Sequence, residues 1–264
     1  MTEQLLITTI DSEGVARLTM NRPEIKNAFN TELINQICDT MGRLYSDPNV
    51  RVVVMTGAGD AFSAGADLHM MKRVAEYSPD ENRDDARRLA HMLASIYESP
   101  KPTIALVNGP AMGGGLGLIA ACDIAIGAEE SFFALSEVRL GLIPAVISPF
   151  VIQAIGVRQA RRYFLSGERF DAAKAKDMGL LHVTAPRAGL DAALADILKS
   201  LLACGPSAQG EAKALIHAVA NKPIDDSVLS DTAGRIARLR ASEEGKEGVT
   251  AFLEKRKPGW IKGA

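Results

Sequence analysis

Two glycine-rich turns and one glutamate hold the residues whose types and spacing could do chemistry. The first turn is Gly57-Ala58-Gly59-Asp60-Ala61-Phe62-Ser63-Ala64-Gly65-Ala66-Asp67, and the second is Asn108-Gly109-Pro110-Ala111-Met112-Gly113-Gly114-Gly115. Each follows a run of apolar and β-branched residues, 50–56 or 103–107, and each opens towards a helical stretch. A helix start presents unpaired N–H donors and the positive end of a dipole, so it attracts negative charge. Residues without bulky side chains let a ligand approach that backbone closely. Two such starts facing one another can give one N–H each to a single oxygen. That arrangement stabilises a thioester carbonyl as it gains enolate charge. The same glycines could instead serve only tight strand–helix packing, as glycine-rich turns often do. A dinucleotide fingerprint fails at both turns, because Phe62 and Leu118 stand where its third glycine would fall. No GK[ST] follows either turn, so neither is a phosphate loop of that kind.

The third candidate, Glu137, precedes the apolar residues Val138, Leu140, Leu142 and Ile143. Partial burial beside that run would raise its pKa towards neutrality and suit it to proton transfer. The plain alternative is a surface loop position. His69, His91, His182 and His217 form no spacing that suggests a metal site or a nucleophilic triad, although His69 lies just after the first turn. Cys38, Cys122 and Cys204 are far apart and odd in number, which points to free thiols in a reducing cytoplasm. No serine sits in a GxSxG elbow. No metal and no separate cofactor are expected.

The elements that must position these residues follow from periodicity and punctuation. Runs 5–10 and 15–20, split by Asp11-Ser12-Glu13-Gly14, predict a hairpin. Apolar positions 33, 34, 37, 41 and 44 predict an amphipathic helix over 31–45. Strands are expected over 50–56, 103–107 and 123–127, with a helix over 113–121 between the last two. The polar stretch 72–88 reads as a mobile segment followed by a helix to Ser99. Alternation of strands and helices to this point predicts an α/β fold. Beyond Pro144 the pattern is helical, at 146–155, 158–165, 171–178 and 190–203, and after Gly205-Pro206 at 207–220, 227–241 and 243–255. Residues 1–203 therefore read as a core carrying the site, and 204–264 as a helical region.

Over 264 residues, 47% hydrophobic and 23% charged, this is ordinary globular composition. A net charge of -2 gives no footprint for nucleic acid. The N-terminus has no basic region of a secretory signal, and no apolar run reaches the about 18 residues of a membrane span. A cytoplasmic protein with a small-molecule ligand, and no nucleic-acid or membrane partner, is the expectation.

An ordered set of motifs resembles the enoyl-CoA hydratase/isomerase (crotonase) family. It comprises Asn21-Arg22-Pro23, Lys26-Asn27-Ala28-Phe29-Asn30, Ala61 to Leu68, Val107 to Gly115, Cys122-Asp123-Ile124, and Ser136 to Pro144. The resemblance spans essentially the whole chain. It implies a spiral of ββα units with a C-terminal helical trimerisation region, assembled as a homotrimer or a dimer of trimers. It implies an acyl-CoA thioester as ligand, with coenzyme A part of the substrate. The main-chain N–H groups of Ala66 and Gly114 then form the oxyanion hole, and Glu137 is the catalytic acid/base. Ala64, Asp67 and Leu68 fall near the adenine and pantetheine, with Lys26 near the phosphates. Lys255 and Lys257 match a basic tail residue that family members lend to a neighbouring subunit. Asp67 could equally cap the next helix, Lys26 could be a solvated charge, and Asp123 suits a turn or cap.

In two-carboxylate members of that family a second glutamate helps hold the water. Its position falls here on Gly117, which has no side chain. Glu137 would then orient water and relay its proton alone, with Gly117 leaving room for water or a branched acyl chain, as in a hydratase. Alternatively it would carry a proton from C4 to C2 of the acyl chain, as in a Δ3-Δ2 enoyl-CoA isomerase. A member that binds acyl-CoA without catalysis is the third possibility. The run Leu135 to Phe150 resembles bacterial hydratases of the methylglutaconyl-CoA and isohexenylglutaconyl-CoA type, which inclines the reading to hydration of a branched or dicarboxylic chain. Arg139 could face a second substrate carboxylate, although an exposed structural arginine is the stronger expectation.

Overall fold

The computed structural model describes residues 4–261. Strand β1 (Leu6–Ile10) turns through Asp11–Gly14 into β2 (Val15–Met20), and the two pair antiparallel. Helix α1 (Thr31–Ser46) follows, capped by the Asn30 side chain, which accepts from the Leu33 N–H. It lays Leu33, Ile34, Ile37, Met41 and Leu44 into the core, one stripe at helical spacing. Next comes β3 (Val52–Gly57), parallel to β2. The chain then crosses through two helices to β4 (Thr103–Val107), parallel to β3. After a short β5 (Ala111–Met112), α4 (Gly114–Ala121) leads to β6 (Ile124–Ala128), parallel to β4.

Strand alternation divides the interior in two. Val52 and Val54 of β3, with Ile104 and Leu106 of β4, face one side of the sheet, while Val53, Met55, Ala105 and Val107 face the other. The first face is covered by α7 (Leu190–Leu202) through Leu190 and Leu194, and the second by α1 and α4. Between β6 and α7 the chain forms β7 (Phe132–Ala134), α5 (Ser148–Ser166), β8 (Arg169–Asp171), α6 (Ala172–Asp177) and β9 (Val183–Ala185). Strand order is β1-β2-β3-β4-β6-β9 in the larger sheet and β5-β7-β8 in the smaller. Isolated parallel bridges Phe29–Ala66 and Ser63–Ala111 extend this second layer past the ends of β3 and β4. The chain thus winds repeatedly through two strand layers and a helix, which matches the expected spiral.

Two features differ from the sequence reading. The segment expected to be mobile, 72–88, is largely helical, in α2 (Leu68–Val74) and α3 (Pro79–Tyr97). Ser78 and Glu81 form a reciprocal capping box and Pro79 occupies the first turn, so the polar start of α3 is well specified. Arg83–Asp80 pairs at i,i+3 on its exposed face and Arg88–Asp85 on a half-buried one, while Met92, Leu93 and Ile96 anchor its far end. Strands β5, β7, β8 and β9, of two or three residues each, were not expected, because so short a run shows no period. The two helices expected at 146–155 and 158–165 are present as the two arms of α5, which meet at a kink at Gly156, where φ of 74° is non-helical.

Three further helices complete the described chain: α8 (Pro206–Val219), α9 (Asp226–Ala241) and α10 (Glu243–Leu253). They are tied to the core by Lys213, whose ammonium meets Asp123 at 2.8 Å, and by a stacked Tyr97–His217 pair with centroids 4.4 Å apart. Asp123 also accepts from the Thr103 N–H and hydroxyl, so it has the turn-holding role its position suggested. Among the described residues no helix is long and apolar enough to cross a membrane.

Candidate active site

The two glycine-rich turns leave adjacent strand ends and are fastened to each other. Asn27, fully buried, donates through its side-chain amide to the carbonyls of Ala58 and Ala61, each at 2.9 Å. Its amide oxygen accepts from the Arg22 N–H. Asn108, from the second turn, accepts from the Gly57 N–H and donates to the Gly59 carbonyl at 3.1 Å. Ser63 is also fully buried; its hydroxyl donates to the Asn27 carbonyl and accepts from the Gly65 N–H. The Met112 N–H donates to the Ser63 carbonyl at 2.9 Å, drawing the turns together. Gly65 lies at the closest approach, with φ of 83°. A Cβ there would come within 2.8 Å of the Met112 carbonyl oxygen and 3.3 Å of the Gly114 nitrogen.

This packing leaves two donors over. In the parallel bridge at Phe29, its N–H bonds the Gly65 carbonyl and its carbonyl accepts from Asp67. The flanking residues take both bonds, so Ala66 itself turns its N–H to the other side. Gly114 is the first residue of α4, whose opening N–H groups lack intrahelical partners. Neither the Ala66 nor the Gly114 N–H donates to a partner among the described residues. Both residues line one cavity of about 470 Å³, together with Glu137.

Glu137 enters from the loop after β7, at the start of a short 3-10 turn over Glu137–Leu140. Its carboxyl reaches over Gly113, where a Cβ would sit 2.9 Å from Oε1; with φ of 47° and ψ of −117°, only glycine is comfortable there. Oε2 is buried and has no hydrogen-bond partner among the described residues. Burial pushes the Glu137 carboxyl above the ordinary carboxylate range, outweighing the opposing bond from its own backbone N–H. A buried acid with a free oxygen, beside two free main-chain donors, can exchange a proton with a ligand held by those donors.

The rest of the cavity is apolar. Its lining includes Phe29 just before α1 and Ile34 within it, Met70 and Met71 of α2, and Ile147 before α5. Among the described lining residues only Ser136 and Glu137 have polar side chains, and no basic side chain is present.

A family model described as enoyl-CoA hydratase/isomerase matches residues 11–263. The chain belongs to the enoyl-CoA hydratase/isomerase family. A crystal structure of an enoyl-CoA hydratase from Shewanella pealeana superposes with a TM-score of 0.94 at 42% identity, covering 97% of this chain and 96% of that one. AtuE of Pseudomonas aeruginosa superposes with a TM-score of 0.94 at 34% identity, over 98% and 100% of the two chains. A hydroxycinnamoyl-CoA hydratase-lyase of Pseudomonas fluorescens is 37% identical over 74% of this chain and 71% of its own. The architecture is accordingly the crotonase fold of that family, with a C-terminal helical region.

Within this hydratase/isomerase fold the expected site residues separate into groups. Ala64, Ala66, Gly114 and Glu137 line the cavity. Lys26 is exposed at its edge, where its carbonyl accepts from the Ala64 N–H at 2.8 Å. The Asp67 side chain is occupied internally. It caps α2 by accepting from the His69 N–H and meets the Arg22 guanidinium at 2.9 Å. Burial alone would raise its pKa, but the His69 N–H and Arg22 outweigh burial and hold it below the usual value. Leu68 begins α2, and its side chain lies outside the described part of the structure. His69 is exposed and does not border the cavity.

Gly117 requires a correction. The space beside it is not left for water or a branched chain, because Ile147 fills it: a Cβ at 117 would come within 2.9 Å of the Ile147 Cβ and closer still to its Cγ2. Gly117 is buried and lies behind the cavity wall. Arg139 runs along Gly167, its Nε 3.2 Å from where a Cβ would be, and does not line the cavity. The sequence reading assigned no role to Arg22, Asn27 or Ser63, although they stand in the motifs that carry the resemblance. An asparagine, a serine and an arginine among small residues are the signal that polar side chains clamp these turns.

Proposed function

We propose that the protein is an enoyl-CoA hydratase, adding water across the double bond of an α,β-unsaturated acyl-CoA. The observation that carries this reading is the buried, partnerless Oε2 of Glu137 in the cavity that Ala66 and Gly114 also line with free N–H groups. The thioester oxygen accepts from both N–H groups, which stabilise it most as charge moves onto it. Glu137 in its ionised form takes a proton from a water as that water's oxygen bonds to C3. The C2–C3 π electrons move into the enolate, whose oxygen the two N–H groups hold. Glu137, now protonated, returns the proton to C2, and the 3-hydroxyacyl product leaves the protein unchanged. A carboxyl whose pKa is raised by burial is suited to serve as base and then acid in one cycle.

The apolar lining supports an uncharged acyl chain rather than a dicarboxylic one, since no cation among the described lining residues is set to meet a second carboxylate. Lys26, exposed at the edge where its carbonyl holds Ala64, is suited to the coenzyme phosphates. No separate cofactor enters this scheme. A trimer or dimer of trimers is part of the same proposal. Leu229 and Ile236 of α9, with Phe252 and Leu253 of α10, are 47% to 82% exposed in the single chain and would be covered in such an assembly.

A second reading has its own support. Among the described lining residues Glu137 is the one carboxyl, and one base can carry a proton from C4 to C2, as in an isomerase. A panel of enoyl-CoA thioesters separates the two by the absorbance of the conjugated thioester. Loss of that absorbance from 2-enoyl substrates is expected. Its gain from 3-enoyl substrates, with 2-enoyl substrates unchanged, would replace hydration by isomerisation.

A further inference from the structure

The cavity wall beside Glu137 is built by a pair of residues far apart in sequence, Gly117 and Ile147. Gly113, which caps α4, and Gly117 within it stand four residues apart, so they lie on one side of the helix about 6 Å apart along the axis. The Glu137 carboxyl lies over Gly113 and the Ile147 side chain over Gly117. Gly114, whose N–H is free for the ligand oxygen, lies between them in the chain. Ile147 is only 3% exposed, yet it borders the cavity, and Leu93 from α3 backs the same spot, 3.4 Å from a Cβ at 117. Ile147 is therefore held from behind and cannot retreat from a bulky ligand without disturbing α3 or α4.

We propose that Ile147 is the specificity-determining residue of the acyl site, limiting how wide the chain is at the carbons next to the thioester. This rests on the acyl-CoA reading above. An acyl chain whose carbonyl oxygen sits at the Gly114 N–H has its next carbons within one helix turn of Ile147. Gly117 is what admits the isoleucine, since any side chain at 117 would displace it. The two positions work as one unit. Glycine behind and isoleucine in front give a firm apolar surface, where a larger residue at 117 would instead reach the cavity itself.

The test is equilibrium binding of two saturated thioesters, which needs no turnover. Butanoyl-CoA and 3,3-dimethylbutanoyl-CoA are titrated by calorimetry into the intact protein and into Ile147→Val and Ile147→Ala. The wild type should prefer the linear chain. Truncation should reduce that preference, by about tenfold for Ile147→Ala and by a smaller factor for Ile147→Val, the range of one or two carbons in an apolar pocket. The preference staying within twofold of wild type in Ile147→Val, with linear binding intact, would overturn the proposal even where Ile147→Ala fails to fold. Hydration of crotonyl-CoA by the wild type is measured alongside. Binding without hydration rejects the hydratase reading and leaves the preference ratio to decide on Ile147, whereas no binding of either thioester rejects both.

Discussion

Burying a carboxyl oxygen with no hydrogen-bond partner costs free energy, and Glu137 bears that cost in the free protein. Two consequences follow for Glu137→Gln. Turnover should fall by about 10²–10⁴-fold, with acyl-CoA binding retained, because only proton exchange is removed. Stability should move the other way. Since burial raises the Glu137 pKa, the folded protein holds this proton more tightly than the unfolded chain does. The group's contribution is then complete below its unfolded value, about 4.3, and is lost as pH rises through the folded one. Glutamine has no such titration. Thermal melts should therefore place Glu137→Gln above wild type at pH 8, with the gap closing towards pH 4. A gap that widens on acidification would mean that the carboxylate is stabilised in the fold. At this scale the sequence was informative about Glu137 and uninformative about Asp67, which it left between ligand and cap. The deciding partner, Arg22, lies 45 positions earlier, and no local pattern announces a pair made across such a distance.

At the scale of elements, the site depends on how turns and α4 pack. Strands β3 and β4 and the turns after them were legible, because buried strands are apolar runs and the turns are punctuated by glycine. The Gly117–Ile147 contact was not, because it joins α4 to the loop before α5 and only packing reveals it. A double-mutant cycle reads it directly. Gly117→Ala alone should destabilise by about 1–3 kcal/mol through overpacking. Combined with Ile147→Ala, which vacates the same space, the added alanine should cost less, giving a favourable coupling of about 1 kcal/mol or more in urea denaturation. Strict additivity would mean that the two side chains do not compete for one space. The start of α3 teaches the converse lesson. Ser78-Pro79-Asp80-Glu81 was a helix-start signal, but the charged stretch around it lacks an apolar stripe until Leu89, so periodicity alone missed the first turns.

For the whole molecule, the α/β order and the helical C-terminal region were readable from alternation and from the change of character after Pro144. The second strand layer was not, since its members are two or three residues long and are stabilised by neighbours rather than by their own pattern. The exposed apolar residues of α9 and α10 belong to this scale, because no partner for them exists within the described chain. Light scattering on the purified protein should return three or six times the chain mass. A monomer at micromolar concentration would contradict the proposed assembly and leave those side chains without an explanation.

The central claim is that the Ala66 and Gly114 N–H groups hold the thioester oxygen while Glu137 moves the proton. The most direct measurement is the infrared spectrum of an enoyl-CoA labelled with carbon-13 at C1, bound to Glu137→Gln so that no turnover occurs. Two hydrogen bonds to a polarised carbonyl should lower its stretching frequency below that of the same thioester in water. A carbonyl band at or above the frequency in water would contradict the account.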